Sequence, residues 1–384
     1  MKHEKDNKNF IINGLDNPIF LIIMGYLSIL LLAIPRLNFN PTDLIFAIVV
    51  YVLFFALGFY TMDFIENIVK KEYVLLLLNV CIFILVVYGV YITEKSFIGI
   101  IYAGLLLAFI KYADYYYTLH QKLMDGLFIL GVISFIILLI KYSFIIPLFN
   151  YDVRMSIVSE PLRLISTGCL IFASFKNKYY FMASFIILFL MGYKLSIFIL
   201  IVSYILYRVR EEGINIFTTV VCIISLFVLM GVMFKIILSS SPQSWDLNMV
   251  EIIIYRANLD LSIFNKILHT TYHTFGGITF YPMGESKIER ILFNSNYQSN
   301  LASTLFGPLF LDFGWWGVIV SFIFGGINRI LYQGDSKIYA IYGATLLGMC
   351  DIGINYGFVI TTLFACAYSL KLNLIKNKNK IEKR

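Results

Sequence analysis

Charged residues are scarce in this chain. Asp, Glu, Lys and Arg make up only 14% of its 384 residues, whereas 60% are hydrophobic and the mean hydropathy is +0.83. A soluble domain of this length could not bury so much apolar surface, so the composition excludes a soluble protein and predicts an integral membrane protein. The formal charge of +7 is spread over short connections and the C-terminal tail. Membrane topology explains that distribution, and we expect no nucleic-acid partner.

Cysteine is rare too, and its five copies lie inside apolar runs, which favours small buried side chains over a disulfide framework or a metal site. They are Cys81, Cys169, Cys222, Cys350 and Cys366. We also expect no cleavable signal, because residues 1–14 are polar and the first apolar run is long enough to span a membrane. No internal repeat is visible, which argues against transporter folds built from two symmetric halves.

Long apolar runs are what the chain has in abundance. Because a bilayer core of about 30 Å requires roughly 20 apolar helical residues, we predict an all-α polytopic membrane protein with about twelve transmembrane helices. The predicted spans are 18–35, 43–62, 73–92, 97–112, 125–146, 161–175, 179–193, 195–207, 216–238, 303–327, 338–352 and 355–371. The tenth contains Gly307, Pro308 and Gly314, so we expect a broken or partly re-entrant segment there.

The distribution of Lys and Arg predicts the orientation of these spans. With the N-terminus in the cytoplasm, 19 of these residues lie on the cytoplasmic side and seven lie in short segments on the outer side. Lys and Arg favour cytoplasmic loops. We therefore predict a multi-pass protein of the cell (plasma or inner) membrane with both termini inside.

One connection differs from all the others in length. Residues 239–302 form a polar, charged and aromatic stretch of 64 residues, whereas every other connection is far shorter. Such a loop in a membrane protein is expected to carry its chemistry or its gate. We interpret the chain as a single integral membrane domain, 1–384, with a large extracytoplasmic loop at 239–302 and a basic cytoplasmic tail at 372–384.

Three cations are expected near the outer membrane surface. Arg154 lies in the connection before a span, Arg163 follows Pro161 in the first turn of that span, and Lys194 lies in a tight turn between two spans. Charges so close to hydrocarbon are costly, and an Arg at a helix N-terminus is unfavourable with the helix dipole. Both facts point to an anionic ligand. Snorkelling to lipid headgroups is the alternative for each cation.

Two acidic candidates lie in and after the long loop. Residues 250–264 predict an amphipathic helix near the membrane interface, on which Asp260 stands four residues after Arg256 and is spaced to form an ion pair with it. Asp312 follows in an otherwise apolar segment, and an acid within the membrane is a functional candidate by default. A structural ion pair is the alternative for both acids.

The loop also contains two histidines. His269 and His273 are four residues apart, with Tyr272 between them. Two histidines at that spacing can bind zinc, but no acidic third ligand follows in the usual arrangement. We therefore interpret this stretch as a solvated helix face or a sugar-binding surface.

The exit from the loop carries a resemblance to a known family. Residues 305–317 read Leu-Phe-Gly-Pro-Leu-Phe-Leu-Asp-Phe-Gly-Trp-Trp-Gly, and residues 192–194 read Gly-Tyr-Lys before a mid-chain span. These two motifs, together with the many spans joined by short loops and the large outer loop late in the chain, resemble the O-antigen or oligosaccharide repeat-unit polymerases (Wzy-type). Those polymerases are similar to the metal-independent class C glycosyltransferases. The likeness covers nearly the whole chain in architecture, and residues 305–317 are its most specific part.

This resemblance implies a function. Such polymerases transfer a growing glycan from one polyprenyl diphosphate carrier to a sugar unit on another, at the outer face of the membrane. Donor and acceptor would then be polyprenyl-diphosphate-linked oligosaccharides, and a chain-length regulator and a flippase would be partners within the lipid bilayer. Metal-dependent relatives hold a cation with acidic residues, but no Asp-x-Asp occurs here. We therefore expect no metal and no cofactor, with side-chain cations stabilising the leaving diphosphate.

Roles for the candidate residues follow from that chemistry. We expect catalysis by Arg256, Asp312, His273 and Glu160, and binding of the diphosphate or the sugars by Arg154, Arg163, Lys194, Asp260, His269 and Tyr272. The general base stays open among Asp152, Glu160, Asp260, Asp312 and the histidines.

Two other functions stay open beside the polymerase. An O-antigen ligase would carry a His-x-His element in the large loop, which His269-Thr-Thr-Tyr-His273 does not match. A lipid-linked sugar exporter would favour charges buried in mid-span and two matching halves.

Overall fold

A computed structural model describes residues 14–113, 120–158, 160–211, 216–240, 247–294 and 301–382. These residues form helices and the turns that join them, with no strand among them. In chain order the helices are α1 (Pro18–Ala33), α2 (Thr42–Ile68), α3 (Lys71–Glu94), α4 (Gly99–Lys111), α5 (His120–Lys141), α6 (Tyr151–Ser156), α7 (Pro161–Ala173), α8 (Lys178–Met191), α9 (Lys194–Glu211), α10 (Ile216–Ser239), α11 (Met249–Leu268), α12 (Ile288–Phe293), α13 (Gly307–Phe313), α14 (Gly317–Tyr332), α15 (Ser336–Ile352) and α16 (Tyr356–Glu382). The predicted all-helical class is confirmed.

Six helical segments within the described residues are long and apolar enough to cross a membrane. They are Pro18–Arg36, Thr42–Phe64, Lys71–Glu94, Leu123–Lys141, Gly307–Tyr332 and Tyr356–Lys376. Four further apolar stretches, namely α4, α7, α8 and Ile224–Ser239 of α10, are shorter. Each of the twelve predicted spans coincides with a helix or a pair of consecutive helices. The molecule is a helical membrane protein, and the number of crossings stays a prediction.

The tenth predicted span is interrupted, as its glycines indicated. Helix α13 ends at Phe313, residues Gly314–Trp316 form a 3₁₀ turn, and α14 follows directly. Gly314 has a φ of +54°, a conformation that favours glycine. The side chains of Trp315 and Trp316 are exposed at this turn, where aromatic rings suit a membrane interface.

Helices α2 and α14 pack closely in the core. A Cβ at Gly58 of α2 would lie 1.8 Å from the carbonyl oxygen of Phe322, and a Cβ at Gly325 of α14 would lie 2.0 Å from that of Phe55. Glycine at both positions therefore allows the two backbones to approach. The rings of Phe55 and Phe324 fill the space beside this contact, with centroids 6.2 Å apart.

Ion pairs between helices join residues that the sequence analysis assigned to the same side of the membrane. On the predicted cytoplasmic side these are Arg329 with Asp63 (2.7 Å), Arg210 with Asp16 (3.6 Å), Lys376 with Asp335 (3.7 Å) and Lys176 with Asp125, and on the predicted outer side Lys141 with Glu160 (2.8 Å). Each of these ion pairs joins residues of one predicted side, and the topology itself stays a prediction.

Candidate functional site

The long loop begins with a helix that forms one wall of the site. Helix α11 starts with a capping box, in which Asn248 Oδ1 accepts a hydrogen bond from the Glu251 N–H (2.9 Å) and Glu251 Oε2 accepts one from the Asn248 N–H (2.8 Å). Its apolar face, including Leu261, is buried, and the helix packs against α1 and α2. The amphipathic helix predicted at 250–264 is confirmed and extends to Leu268.

The segment that leaves the loop is buried and bound by a tyrosine from each of the first two helices. Tyr26 Oη accepts a hydrogen bond from the Phe306 N–H (3.0 Å), and the Tyr51 hydroxyl donates one to the Gly314 carbonyl (2.6 Å). Both tyrosine rings contact the ring of Phe306, with centroids 5.8 and 5.2 Å apart. This exit segment, residues 301–314, therefore has a fixed position relative to α1 and α2.

A second irregular segment, between α15 and α16, crosses the exit segment. The Ser303 N–H donates to the Ile352 carbonyl (3.3 Å), and the Ile354 N–H donates to the Leu305 carbonyl (3.1 Å). Between them, Gly353 has a φ of +105°, and a Cβ there would lie 2.9 Å from a carbonyl oxygen of the exit segment. Glycine is required at this crossing both by its backbone conformation and by the space available.

A cavity of about 170 Å³ lies where α11, the exit segment and the α15–α16 crossing meet. Most of its wall is apolar, with Pro308 of the exit segment and Ile352 of the crossing among the lining residues. Arg256 of α11 and Glu285, from the 3₁₀ turn Gly284–Lys287, are the charged side chains that line it. One cation and one anion therefore border an otherwise largely apolar space.

Arg256 keeps its charge available to a ligand, because the neighbouring acid is uncharged at neutral pH. Its Nε lies 3.4 Å from Oδ2 of Asp260, which is completely buried. Arg256 donates no hydrogen bond to either carboxylate oxygen of Asp260. Burial, followed by the charge of nearby Asp351, raises the pKa of Asp260 to about 10 against the opposing effect of Arg256. A protonated Asp260 does not neutralise the guanidinium of Arg256.

Lys194, in the first turn of α9, carries an amine whose pKa is lowered to about 7 by burial and by the charge of Arg256. Its ammonium lies within electrostatic range of Arg256 and of two acids, Asp260 and Asp351. The same nitrogen lies 3.0 Å from the ring centroid of Phe234 on α10, a cation–π contact. Lys194, Arg256, Asp260 and Asp351 thus form one polar cluster, to which α9, α11 and α15 each contribute.

The Gly-Tyr-Lys turn links this cluster to the two arginines of the preceding connection. Gly192 ends α8 with a φ of +75°, and a Cβ there would lie 3.4 Å from Cδ of Arg154. The Tyr193 hydroxyl donates a hydrogen bond to the backbone carbonyl of Arg154. The guanidinium of Arg163 lies 4.2 Å from the ring centroid of Tyr193, and that of Arg154 donates to Ser240 Oγ at 3.1 Å. The cations predicted at the outer surface therefore occupy one continuous band.

Asp312 anchors the second half of the long loop to the exit segment. Its buried carboxylate accepts hydrogen bonds from the Thr274 hydroxyl, the Ile278 N–H (2.9 Å) and the Thr279 N–H (2.7 Å). Burial lowers the pKa of Lys287, and the charge of Asp312 opposes that shift. The acid predicted to be catalytic therefore has its oxygens engaged in holding residues 274–279.

The remaining predicted residues lie away from the cavity lining. Glu160 binds Lys141 at 2.8 Å. His269 and Tyr272 are exposed, and His273 lies against the exit segment, with Nδ1 3.4 Å from the Leu311 carbonyl. Of the two interpretations of this stretch, the solvated helix face is wrong, because α11 ends at Leu268 and the chain is irregular beyond it. The sugar-binding surface stays a prediction. No group of metal-ligating side chains occurs among the described residues.

Comparison with known proteins identifies the family. The family model described as "Putative O-antigen polymerase" matches residues 14–366, which is nearly the whole chain. The chain belongs to the O-antigen polymerase family. The resemblance carried by residues 305–317 is thereby confirmed, and with it a multi-pass membrane protein of polysaccharide biosynthesis. An uncharacterized protein of Methanocaldococcus jannaschii is 39% identical over 364 residues, 94% of each chain. No solved structure matches.

Two acids near the cavity of this O-antigen polymerase family member were not among the site residues predicted from the sequence. Asp351 ends the apolar run of α15, and Glu285 lies in the irregular part of the loop. Asp351 carried one available signal, a lone acid in Leu-Gly-Met-Cys-Asp-Ile, much like Asp312. Glu285 carried none, because its position beside Arg256 depends on contacts between distant parts of the chain.

Proposed function

We propose that this member of the O-antigen polymerase family joins polyprenyl-diphosphate-linked oligosaccharide repeat units at the outer face of the membrane. The observation that carries the proposal is the cavity beneath the long loop, which the guanidinium of Arg256 lines. Transfer of a glycan from a diphosphate requires positive charge where the leaving group becomes negative. Arginine suits this task, because its planar fork can bind two phosphate oxygens at once.

The other cations of the band support the same reaction. Lys194 lies within electrostatic range of Arg256 in the polar cluster, and Arg154 and Arg163 follow along the Gly-Tyr-Lys turn. We assign them to binding of the diphosphate and the adjacent sugars. We assign Asp312 to holding the loop. His269, Tyr272, His273 and Glu160 lie outside the cavity lining, and we assign them no role in the transfer step.

A direct test uses purified protein in lipid vesicles, supplied with polyprenyl-diphosphate-linked repeat units whose products are separated by size. The wild-type protein is expected to give a ladder of glycans. Arg256→Ala is expected to lower the rate of polymerisation about 10²- to 10³-fold and leave single repeat units as the main species. Arg256→Lys keeps the positive charge and is expected to lower that rate less. Arg290→Ala, which removes an exposed arginine of the same loop, serves as the matched control. A normal ladder from Arg256→Ala, or glycan delivered to a lipid that carries no repeat unit, would overturn the proposal.

The proposed topology has twelve crossings, with both termini in the cytoplasm and the 239–302 loop outside. The ion pairs between helix ends support it, because each joins residues of one predicted side. A cysteine at Ser286 is expected to react with an impermeant maleimide on intact cells, and a cysteine at Ser336 only after lysis. Both serines are half-buried, so accessibility within the protein is matched. Labelling of Ser336→Cys on intact cells would contradict this orientation.

A further inference from the structure

Glu285 is the acid that shares the cavity with Arg256. Both side chains line the same space of about 170 Å³, enough for about five water-sized groups. Oε2 of Glu285 is buried and has no hydrogen-bond partner among the described residues. Burying a carboxylate oxygen without a hydrogen-bond partner costs free energy of folding. Its position therefore points to a ligand that donates a hydrogen bond there.

The position of Glu285 is fixed by the loop that Asp312 anchors. Met283 has a φ of +56° and directs the chain into the 3₁₀ turn. A Cβ at Gly284 would lie 2.2 Å from the Ile278 carbonyl oxygen, so the turn packs directly on that backbone. The Ile278 N–H in turn donates to Asp312 (2.9 Å). Glu285 is thereby held against the exit segment that forms another wall of the cavity.

Resting on the proposed function, we propose that Glu285 is the general base of glycan transfer. It accepts the proton of the acceptor sugar hydroxyl as that oxygen bonds to the anomeric carbon of the donor glycan. The bond between that carbon and the diphosphate oxygen breaks, and its electron pair remains on the diphosphate, beside the guanidinium of Arg256. Water later removes the proton from Glu285. A base and an anion-stabilising cation that border one cavity are placed to act on the two partners of a single displacement.

The other acids that the sequence left open are less suited to this role. Asp152 lies outside the cavity lining. The carboxylate of Asp312 already accepts three hydrogen bonds. Glu160 is bound to Lys141 at 2.8 Å. Asp260 has no exposed surface. None of these acids lines the cavity.

The test measures donor binding and transfer separately in the purified full-length protein. Glu285→Gln is expected to bind the polyprenyl-diphosphate-linked donor with unchanged affinity and to lower kcat about 10²- to 10⁴-fold, the usual contribution of a general base. Glu285→Asp keeps the carboxylate and is expected to recover part of the loss. Glu289→Gln, which neutralises another glutamate of the same loop outside the cavity lining, is expected to transfer at the wild-type rate.

The outcomes distinguish a failure of the general-base assignment from a failure of the proposed polymerase function. If Glu285→Gln transfers glycan at the wild-type rate, Glu285 is not the base, while the polymerase assignment stands. If Glu285→Gln and Glu285→Asp lose donor binding and melt at a lower temperature to the same extent, the residue is structural and the assignment of a base is overturned. If wild-type protein fails to move glycan between diphosphate carriers, the proposed function itself is overturned, and the role of Glu285 with it.

Discussion

Arg256 and Asp260 lie one turn apart on α11, and Nε of Arg256 lies 3.4 Å from Oδ2 of Asp260 without donating a hydrogen bond to it. In an exposed helix this spacing gives a weak ion pair of charged partners. Here Asp260 is completely buried and Asp351 lies close by, so the acid holds its proton and the arginine keeps its charge. The contact therefore presents a cation to the cavity instead of neutralising it.

The raised pKa of Asp260 predicts a pH dependence of stability. Its pKa is about 10 in the folded protein and about 3.9 in an unfolded chain. Between these values the folded state binds a proton that the unfolded state releases, so the free energy of unfolding falls as pH rises. In detergent, the melting temperature of wild-type protein is expected to drop from pH 5 to pH 7. Above pH 7 Lys194 opposes the effect of Asp260, because burial lowers the pKa of Lys194 to about 7.

The isosteric Asp260→Asn variant isolates this effect, because its amide does not ionise. Its melting temperature is expected to depend less on pH than that of wild-type protein. A slope of about 1.4 kcal/mol per pH unit is the ceiling for one proton. Identical slopes for the two proteins would show that Asp260 is ionised in the folded state.

Asp312→Ala is expected to release the second half of the long loop. It leaves the buried N–H groups of Ile278 and Thr279 without an acceptor, at a cost of about 1–3 kcal/mol each. The protein is expected to remain in the membrane, with protease cleavage near residues 274–284 and loss of polymerisation. Thr274→Val removes only the hydroxyl that donates to Asp312, so a smaller effect is expected. Equal cleavage of Asp312→Ala and wild-type protein would show that Asp312 does not anchor the loop.

The close contact of α2 with α14 is tested by two glycines within helices. A Cβ added by Gly58→Ala would lie 1.8 Å from the Phe322 carbonyl oxygen, whereas one added by Gly104→Ala would meet nothing within 4 Å. Gly58→Ala is expected to force the two helices apart and lower the melting temperature. Gly104→Ala is expected to leave it unchanged or raise it slightly, because alanine favours helices. The packing is contradicted if both variants melt at the same temperature.

The helices could be predicted from the sequence because their signal is local. The apolar run predicted at 73–92, for example, is the core of helix α3, and the glycines of the tenth run marked its break. The cations of the outer band were identified because charges near hydrocarbon are rare. The cavity could not be predicted, since Arg256, Glu285 and Ile352 meet only after helices from distant parts of the chain have packed. Asp312 illustrates the limit of prediction from sequence. Its position in an apolar segment was evident, but its hydrogen bonds to Thr274, Ile278 and Thr279 were not.

Tyr26 connects the first helix to the exit segment through its hydroxyl group. Tyr26 Oη accepts the Phe306 N–H at 3.0 Å in a fully buried setting. Tyr26→Phe keeps the ring that stacks on Phe306 but leaves that N–H without its acceptor, which costs about 1–3 kcal/mol. A lower melting temperature and shorter glycan chains are therefore expected, because the exit segment supports Pro308 in the cavity wall. Tyr60→Phe, at a largely exposed tyrosine, is the control. If Tyr26→Phe matches it in both measurements, the Tyr26 hydroxyl does not contribute to holding the exit segment.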